Sequence, residues 1–315
     1  MASGSRGPRL EIPDALAVSH CRHFGDSGRA WIAALPALAA DRLDRWQLRP
    51  DGPPTHGAVA LVLPVLRFDG TPAVLKLQPV DEETRGEPIA LRSWEGHGAV
   101  RLLEDDPDSG SMLLERLDVD RSLSAVPDDQ AALRILSELL AHLSAVRAPE
   151  NLRRLPDIAA AMVDHVPHAL RLLSDPSDRH LVESCAGAVR ELLGEAGDRL
   201  LHWDLHYDNV LAPHSPDRGE PWPAIDPKPL AGDPGFELLP ALHNRWDEIV
   251  ATGNVPRAVR RRFDLMTEVL DLDRRRARGW TLGRVLQNAL WGVEDGGTTL
   301  QPVQAAIARA MLDSY

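Results

Sequence analysis

The chain reads as an α+β protein in two lobes, on three observations. Strand-type patterning is confined to the first third of the sequence. Helical periodicity fills most of the remainder. A short loop dense in His, Asp and Asn, residues 202–209, interrupts the helical part. At 315 residues, with 43% hydrophobic and 26% charged residues, the chain has the make-up of a globular protein large enough for two cores. These shifts place an N-terminal lobe at 1–115, a hinge at 116–121 and a helical lobe at 122–315.

Residues 1–45 mix polar loop with an Ala/Leu-rich stretch whose spacing predicts a helix over Gly28–Asp44. A Pro- and Gly-rich loop, Asp51–Gly57, leads into the apolar run Ala58–Phe68. Asp69-Gly70 separates that run from Thr71–Leu77, a strong hairpin signal. Residues 81–97 read as a helix with Leu91 and Trp94 on one face. Ala99–Leu103 and Ser111–Leu114 read as two short strands around an Asp/Gly turn, and strands fade after Leu117. Residues 128–195 are helical, with breaks at Pro149, Pro156 and Pro176, and 235–315 are helical again.

Composition excludes several classes. A net charge of −12 argues against a nucleic-acid partner and suits a cationic small molecule. Met1–Pro13 has no apolar core of signal-peptide length. The apolar run Ala30–Ala40 contains Pro36, ends at Asp41-Arg42 and is too short to span a bilayer. A cytoplasmic protein with no membrane segment is expected. Cys21 and Cys185 form no C-x-x-C pair and read as two buried free thiols of a reducing compartment. Arginine supplies nearly all the basic residues; Lys76 and Lys228 are the only lysines. Against that bias, a lysine within an apolar strand indicates a chemical need for an ammonium.

The chemistry concentrates in His202-Trp203-Asp204-Leu205-His206-Tyr207-Asp208-Asn209 and Ile225-Asp226-Pro227. Read as H-x-D-x-x-x-x-N with a second aspartate downstream, these are the groups that phosphoryl transfer from ATP requires. Asp204 is the candidate catalytic carboxylate, which takes or orients the acceptor's hydroxyl proton. Asn209 and Asp226 are the candidate Mg2+ ligands, hard oxygens on neighbouring segments. Lys76 ends an apolar strand, as in the V-A-I-K pattern, and is the candidate phosphate-binding ammonium. Glu87 is its best orienting partner, with Glu82 and Glu83 one turn earlier as alternatives. Thr55 and Gly57 stand where a loop should cover the phosphates, on position alone. Met112–Leu117 reads as the strand and linker whose backbone, at Glu115 and Leu117, would bond adenine.

His202 is expected to buttress the loop and His206 to position the substrate. Asp233, and with it Glu237, is expected to brace the catalytic loop. No Walker A sequence occurs. Neither Phe-Gly after Asp226 nor Ala-Pro-Glu follows, which argues against a protein kinase. A nucleotide-binding pseudokinase would lack one of Lys76, Asp204, Asn209 or Asp226, and all four are present.

With these residues in place, the chain resembles the aminoglycoside phosphotransferases, in the branch of streptomycin 6-phosphotransferases and hydroxyurea phosphotransferases. The resemblance runs over nearly the whole chain. It includes Gly28–Ile32, Pro64–Leu66, Leu113–Asp118, Leu201–His206, Gly232–Phe236 and Arg260–Leu265. Most specific to the branch are Trp280-Thr281-Leu282 and its continuation Leu286–Trp291. The resemblance implies a protein-kinase-like fold, ATP and Mg2+ as cofactors, and the site roles given above. It also implies phosphorylation of a streptomycin hydroxyl, with hydroxyurea or another small hydroxylated compound as the alternative acceptor. Asp247, Glu248, Glu294 and Asp295 could then pair with the guanidinium groups of a cationic aminoglycoside. Lys228, two residues after Asp226, either disfavours such a cation or points to solvent.

Overall fold

The computed structural model describes residues 10–214, 218–219 and 222–313. Residues 1–9, the larger part of the stretch read for a signal segment, lie outside the described residues. The chain forms two compact units. One runs up to Gly96 and includes Val100–Leu117; the other comprises His97–Ala99 and the chain from Asp118 onward.

The first unit is a helix hairpin packed on an antiparallel sheet. Helix α1 (Asp14–Arg45) bends sharply at Gly25, which has φ 55° and ψ −125°. The chain doubles back there, so that a Cβ at Gly28 would lie 2.3 Å from the His20 carbonyl oxygen. His20 stacks on Trp31 at 4.5 Å. The helix expected over Gly28–Asp44 is therefore the second arm. The first arm begins at Asp14, in a segment whose mixed polarity reads as loop.

Strands β1 (Arg49–Pro50), β2 (Thr55–His56), β3 (Leu61–Leu66), β4 (Pro72–Leu77), β5 (Leu102–Asp106) and β6 (Ser111–Glu115) form the sheet, in the order β1-β3-β4-β6-β5 with β2 also on β3. The β3–β4 hairpin turns at Asp69-Gly70 as expected, pairing Leu61 with Leu77 through Leu66 with Pro72. Leu61, Leu63 and Val65 alternate inward and join Leu16, Leu35, Leu75 and Leu77 in one core. Pro64 is tolerated in this inner strand for a reason of register. Its carbonyl accepts from Asp51 N–H, so its missing N–H faces the same side. There β1 pairs only Val65 and Leu66, and β2 only Leu61 and Val62. Ala58 lies in the turn before β3, and β5 starts at Leu102 rather than Ala99, because Ala99 bridges Ala224 instead. Helix α2 (Glu87–Trp94) follows a single 3-10 turn and buries Leu91 and Trp94.

The second unit holds helices α3 (Asp129–Leu143), α4 (Leu155–Leu172), α5 (Pro176–Leu192), α6 (Leu238–Leu242), α7 (Trp246–Ala251), α8 (Val255–Val269), α9 (Arg274–Glu294) and α10 (Pro302–Leu312). Pro156 and Pro176 start helices rather than break them, occupying first-turn positions where no N–H is required. Helix α9 is buried on several sides and packs on α4, α5, α6 and α10. Strands do not fade after Leu117: β7 (Leu117–Ser122) pairs with β10 (Leu211–Pro213). A second sheet runs β8 (Arg153–Arg154), β11 (Leu230–Gly232), β9 (Arg199–Leu201), parallel then antiparallel. These strands of two or three residues carry too little periodicity to read in sequence. They nevertheless hold both ends of the motif-bearing loop. Cys185 is buried, and burial pushes its thiol up to about 12. Cys21 is exposed, contrary to expectation, because it faces outward from the first arm of α1. Among the described residues no helix is long and apolar enough to cross a membrane.

Candidate active site

In the first unit, strand β4 and helix α2 deliver a buried ion pair. Lys76 Nζ donates to both Glu87 oxygens, at 2.7 and 2.8 Å. Lys76 is 5% exposed and Glu87 2%. Glu87, not Glu82 or Glu83, is thus the partner. Gln78, unnoticed in sequence, donates to Glu87 Oε2 at 2.7 Å and completes the clamp. Its signal was available: a polar residue two positions beyond Lys76 shares its face of the strand.

Thr55 and Gly57 lie in the exposed β2–β3 hairpin, whose turn closes through Gly57 N–H to Ala60 O at 3.0 Å. The turn is tied to α1 by Ser19 Oγ donating to Ala58 O at 2.9 Å and by His20 Nε2 on Val59 O at 2.8 Å. Glu115 N–H is engaged by Arg101 O at 3.0 Å, and its carboxylate accepts from Arg101 N–H at 2.7 Å. The Glu115 amide is therefore committed to the sheet. The Leu117 side chain is buried.

In the second unit, β9 feeds directly into His202 and Asp204. Segment 223–229 is stitched alongside by backbone bonds. Ile225 N–H donates to Asn209 O at 2.9 Å, Lys228 N–H to His202 O at 3.0 Å, and Leu211 N–H to Pro223 O at 3.1 Å. The His, Asn and second Asp of the motif, far apart in sequence, thus lie on adjoining strands of one loop pair. Asn209 Nδ2 donates to Asp204 O at 2.9 Å, which turns its Oδ1 away from that carbonyl. His202 is fully buried, its Nε2 on Ile225 O at 3.0 Å and its Nδ1 accepting from Asp204 N–H at 3.4 Å. Burial draws its pKa down to about 4, against the opposing pull of Asp204, the Ile225 bond and Asp226. The ring is therefore a neutral Nε2–H tautomer that buttresses the loop.

Two non-glycine residues here adopt left-handed backbone: Trp203, at φ 69°, and Asp226, at φ 58°. Such conformations persist where the surroundings over-determine them. At Trp203 those surroundings are explicit. Its N–H donates to buried Glu237 at 2.8 Å, and its indole lies under Arg153 at 4.5 Å and Arg284 at 4.9 Å. Burial pushes Glu237 up to about 7, against the Trp203 and His202 amides and Arg284. Glu237 is the brace of the Asp204 loop. Asp233 is not: it caps its own 3-10 turn at Gly235 N–H, 2.8 Å, and pairs with Arg276 at 2.8 Å.

Lys228 does not point to solvent. Its Nζ lies 2.7 Å from Asp204 Oδ2. His206 is half-buried and 3.7 Å from Asp208. His243 and Asn244 were missed in sequence. Asn244 Oδ1 accepts from Tyr207 N–H at 3.4 Å, and burial, then His206 and Arg284, lower the His243 pKa. Neither carries a motif; the fold alone brings α6 to this loop. Asp247 and Glu248 are exposed on α7. Glu248 stands 3.9 Å from Arg245 and lines a cavity of about 380 Å³ with Arg257, Arg261 and Arg262. Glu294 and Asp295 are exposed at the end of α9, one turn past Trp291, whose ring packs on Trp203 at 5.9 Å.

Residues 45–296 match the family described as aminoglycoside/hydroxyurea antibiotic resistance kinase. The chain belongs to that family. It is 60% identical to the "Streptomycin 6-kinase" of Streptomyces glaucescens over 96% of this chain and 97% of the relative. It is 52% identical to the "Hydroxyurea phosphotransferase" of Kitasatospora aureofaciens, over 97% of this chain and 87% of the relative. In fold it resembles a thermostable variant of aminoglycoside phosphotransferase APH(4)-Ia, solved with ADP and hygromycin B. The TM-score is 0.58 at 14% identity, over 88% of this chain and 97% of that one. The architecture is therefore the kinase-like α+β fold of this resistance-kinase family.

The donor set suits a kinase's magnesium. Asn209 and Asp226 offer hard oxygens from two bonded segments. Two protein oxygens match an ion that keeps waters and phosphate oxygens for its remaining positions.

Proposed function

We propose that this resistance kinase transfers the γ-phosphoryl group of ATP to a hydroxyl of streptomycin and so inactivates the drug. The Asp204, Asn209 and Asp226 constellation supports the chemistry. The 60% identity to a streptomycin 6-kinase over nearly both full lengths carries the acceptor. Residues 1–115 bind the nucleotide, 116–121 form the hinge, and 122–315 carry the catalytic loop and substrate site. The reaction belongs in the cytoplasm, where ATP is supplied.

Asp204 orients the acceptor hydroxyl and takes its proton, within a loop held by His202 and Glu237. Asn209 and Asp226 hold Mg2+, and Lys76, fixed by Glu87 and Gln78, binds the phosphates. Bound magnesium would neutralise charge on the phosphate oxygens. The Thr55–Gly57 turn covers the phosphates. Because the Glu115 amide is used by the sheet, adenine is bonded by other backbone groups of Glu115–Leu117. Glu294 and Asp295, beyond Trp291, and His206 suit a guanidinium-bearing acceptor better than Glu248, whose neighbours include arginines.

A second reading, hydroxyurea as acceptor, is favoured by the 52% identity to a hydroxyurea phosphotransferase. Purified protein with MgATP and each compound, followed by mass detection of the phosphorylated product, separates the two. Streptomycin is expected to be turned over, and Asp204→Ala to cut turnover to a small residual rate while still binding nucleotide. Full activity in Asp204→Ala would end this mechanism. Product from hydroxyurea alone would transfer the protein to the second reading.

A further inference from the structure

Of the two lysines in the chain, one clamps Glu87 and the other touches the candidate catalytic carboxylate. We infer that Lys228 takes part in the phosphoryl transfer proposed above, holding Asp204 by one oxygen and supplying positive charge beside the attacking hydroxyl. The inference rests on that reading of Asp204 and assigns a role to a residue outside the H-x-D-x-x-x-x-N motif.

Three observations carry it. Nζ reaches one of the two Asp204 oxygens, Oδ2, at 2.7 Å. An ammonium is a compact point charge, whereas a guanidinium fork tends to engage both carboxylate oxygens. In a chain that uses arginine almost everywhere else, lysine is the residue that can fix this carboxylate and leave Oδ1 for the hydroxyl. The presentation is stiff: Pro227 and Pro229 flank Lys228, and its N–H is bonded to His202 O at 3.0 Å. Its segment also carries the left-handed Asp226. The pair is a poor structural staple. The Lys228 and Asp204 side chains are 41% and 25% exposed, and ion pairs in such settings add little stability.

In the step itself, the acceptor oxygen bonds to the γ-phosphorus. The bond from that phosphorus to the β–γ bridging oxygen breaks, and its electron pair leaves on ADP. The hydroxyl proton passes to Asp204. As it arrives, the carboxylate loses its charge and no longer offsets that of the ammonium. The positive charge of Lys228 then acts more strongly on the phosphoryl group in transit. The interaction is thus stronger in the transition state than before it, which is what lowers a barrier.

The experiment compares wild type with Lys228→Met, Asp204→Ala and the double variant, reading kcat, KM and melting temperature. For Lys228→Met, kcat should fall by about 100-fold or more, the scale of losing one charge-stabilising donor. KM for streptomycin should change little, and the melting temperature should hold. The double variant should be no slower than Asp204→Ala alone. Lys228→Cys, made with Cys21→Ser to remove the exposed thiol, should be equally slow and should recover when aminoethylation restores an ammonium. A kcat for Lys228→Met close to wild type, a loss confined to KM, an additive double variant, or no recovery on aminoethylation would each overturn the inference. If wild type phosphorylates neither streptomycin nor hydroxyurea, the acceptor reading has failed separately. The same variants are then compared by ADP release with water as acceptor, where equal rates for wild type and Lys228→Met overturn the inference.

Discussion

At the residue scale, the loop around Asp204 is set by buried groups with opposite titration behaviour. His202 faces Asp204, Asp226 and His206, and is held near 4 against an ordinary 6.5. Below 6.5 the unfolded chain takes up a proton that the folded protein refuses. Its contribution to stability is therefore lost as pH falls from about 6.5 to about 4. Glu237 faces the Trp203 and His202 amides, Arg284 and Asp204, and is raised from 4.5 to about 7. There the folded state binds the proton more tightly, so stability is lost as pH rises from about 4.5 to about 7. Over the shared window the two slopes oppose each other. Glu237→Gln should leave stability rising more steeply between pH 4.5 and 6.5 than in wild type. His202→Gln should leave it falling. Urea midpoints across that range check both, and curves parallel to wild type would refute the assignment. The His202 and Asp204 pattern is legible in sequence. The Glu237 brace is 33 positions beyond Asp204 and becomes readable only when the Trp203 amide is seen to need an acceptor.

At the element scale, the Lys76–Glu87–Gln78 cluster depends on a turn outside it. Gly110, at φ 68°, closes the β5–β6 hairpin, and a Cβ there would stand 2.3 Å from the Gln78 carbonyl. Gln78 in turn holds Glu87. Gly110→Ala combines a disfavoured backbone conformation with a backbone clash, so it should destabilise by about 1–3 kcal/mol. It should also raise KM for ATP, because strand β4 shifts at Gln78. Chemical denaturation and ATP titration of the rate would check this, and a variant matching wild type in both would show the turn is independent of the clamp. The β3–β4 hairpin and the long helices carry strong periodicity and are visible in sequence. The first arm of α1 and strands β7 to β11 are not, because their placement comes from packing and pairing rather than from their own residues.

At the scale of the whole molecule, charge and ligand binding are the testable quantities. The chain carries a net charge of −12. Long-range attraction of a cationic acceptor should make kcat/KM for streptomycin fall as ionic strength rises, while a neutral acceptor such as hydroxyurea shows no such trend. Rate measurements over a salt series would test it, and equal trends for both would assign the charge to solubility alone. MgATP at about 100 times its Kd should stabilise the fold by about 2.7 kcal/mol, read as a rise of several degrees in melting temperature. Lys76→Ala should lose most of that rise, and an unchanged shift would remove Lys76 from nucleotide binding.

The sequence by itself determined the reaction class, and it nominates Lys76, Asp204, Asn209 and Asp226 for it because phosphoryl transfer admits few side chains and holds them at narrow spacings. It determined the fold class as well, since hydrophobic period distinguishes strand from helix. Tertiary structure alone decided which neighbours serve those residues. Gln78 joined to Glu87, Glu237 rather than Asp233, and Lys228 turned onto Asp204 are choices made by packing, where a buried amide or carboxylate takes whatever partner the fold brings within about 3 Å. Sequence distance carries no record of that choice.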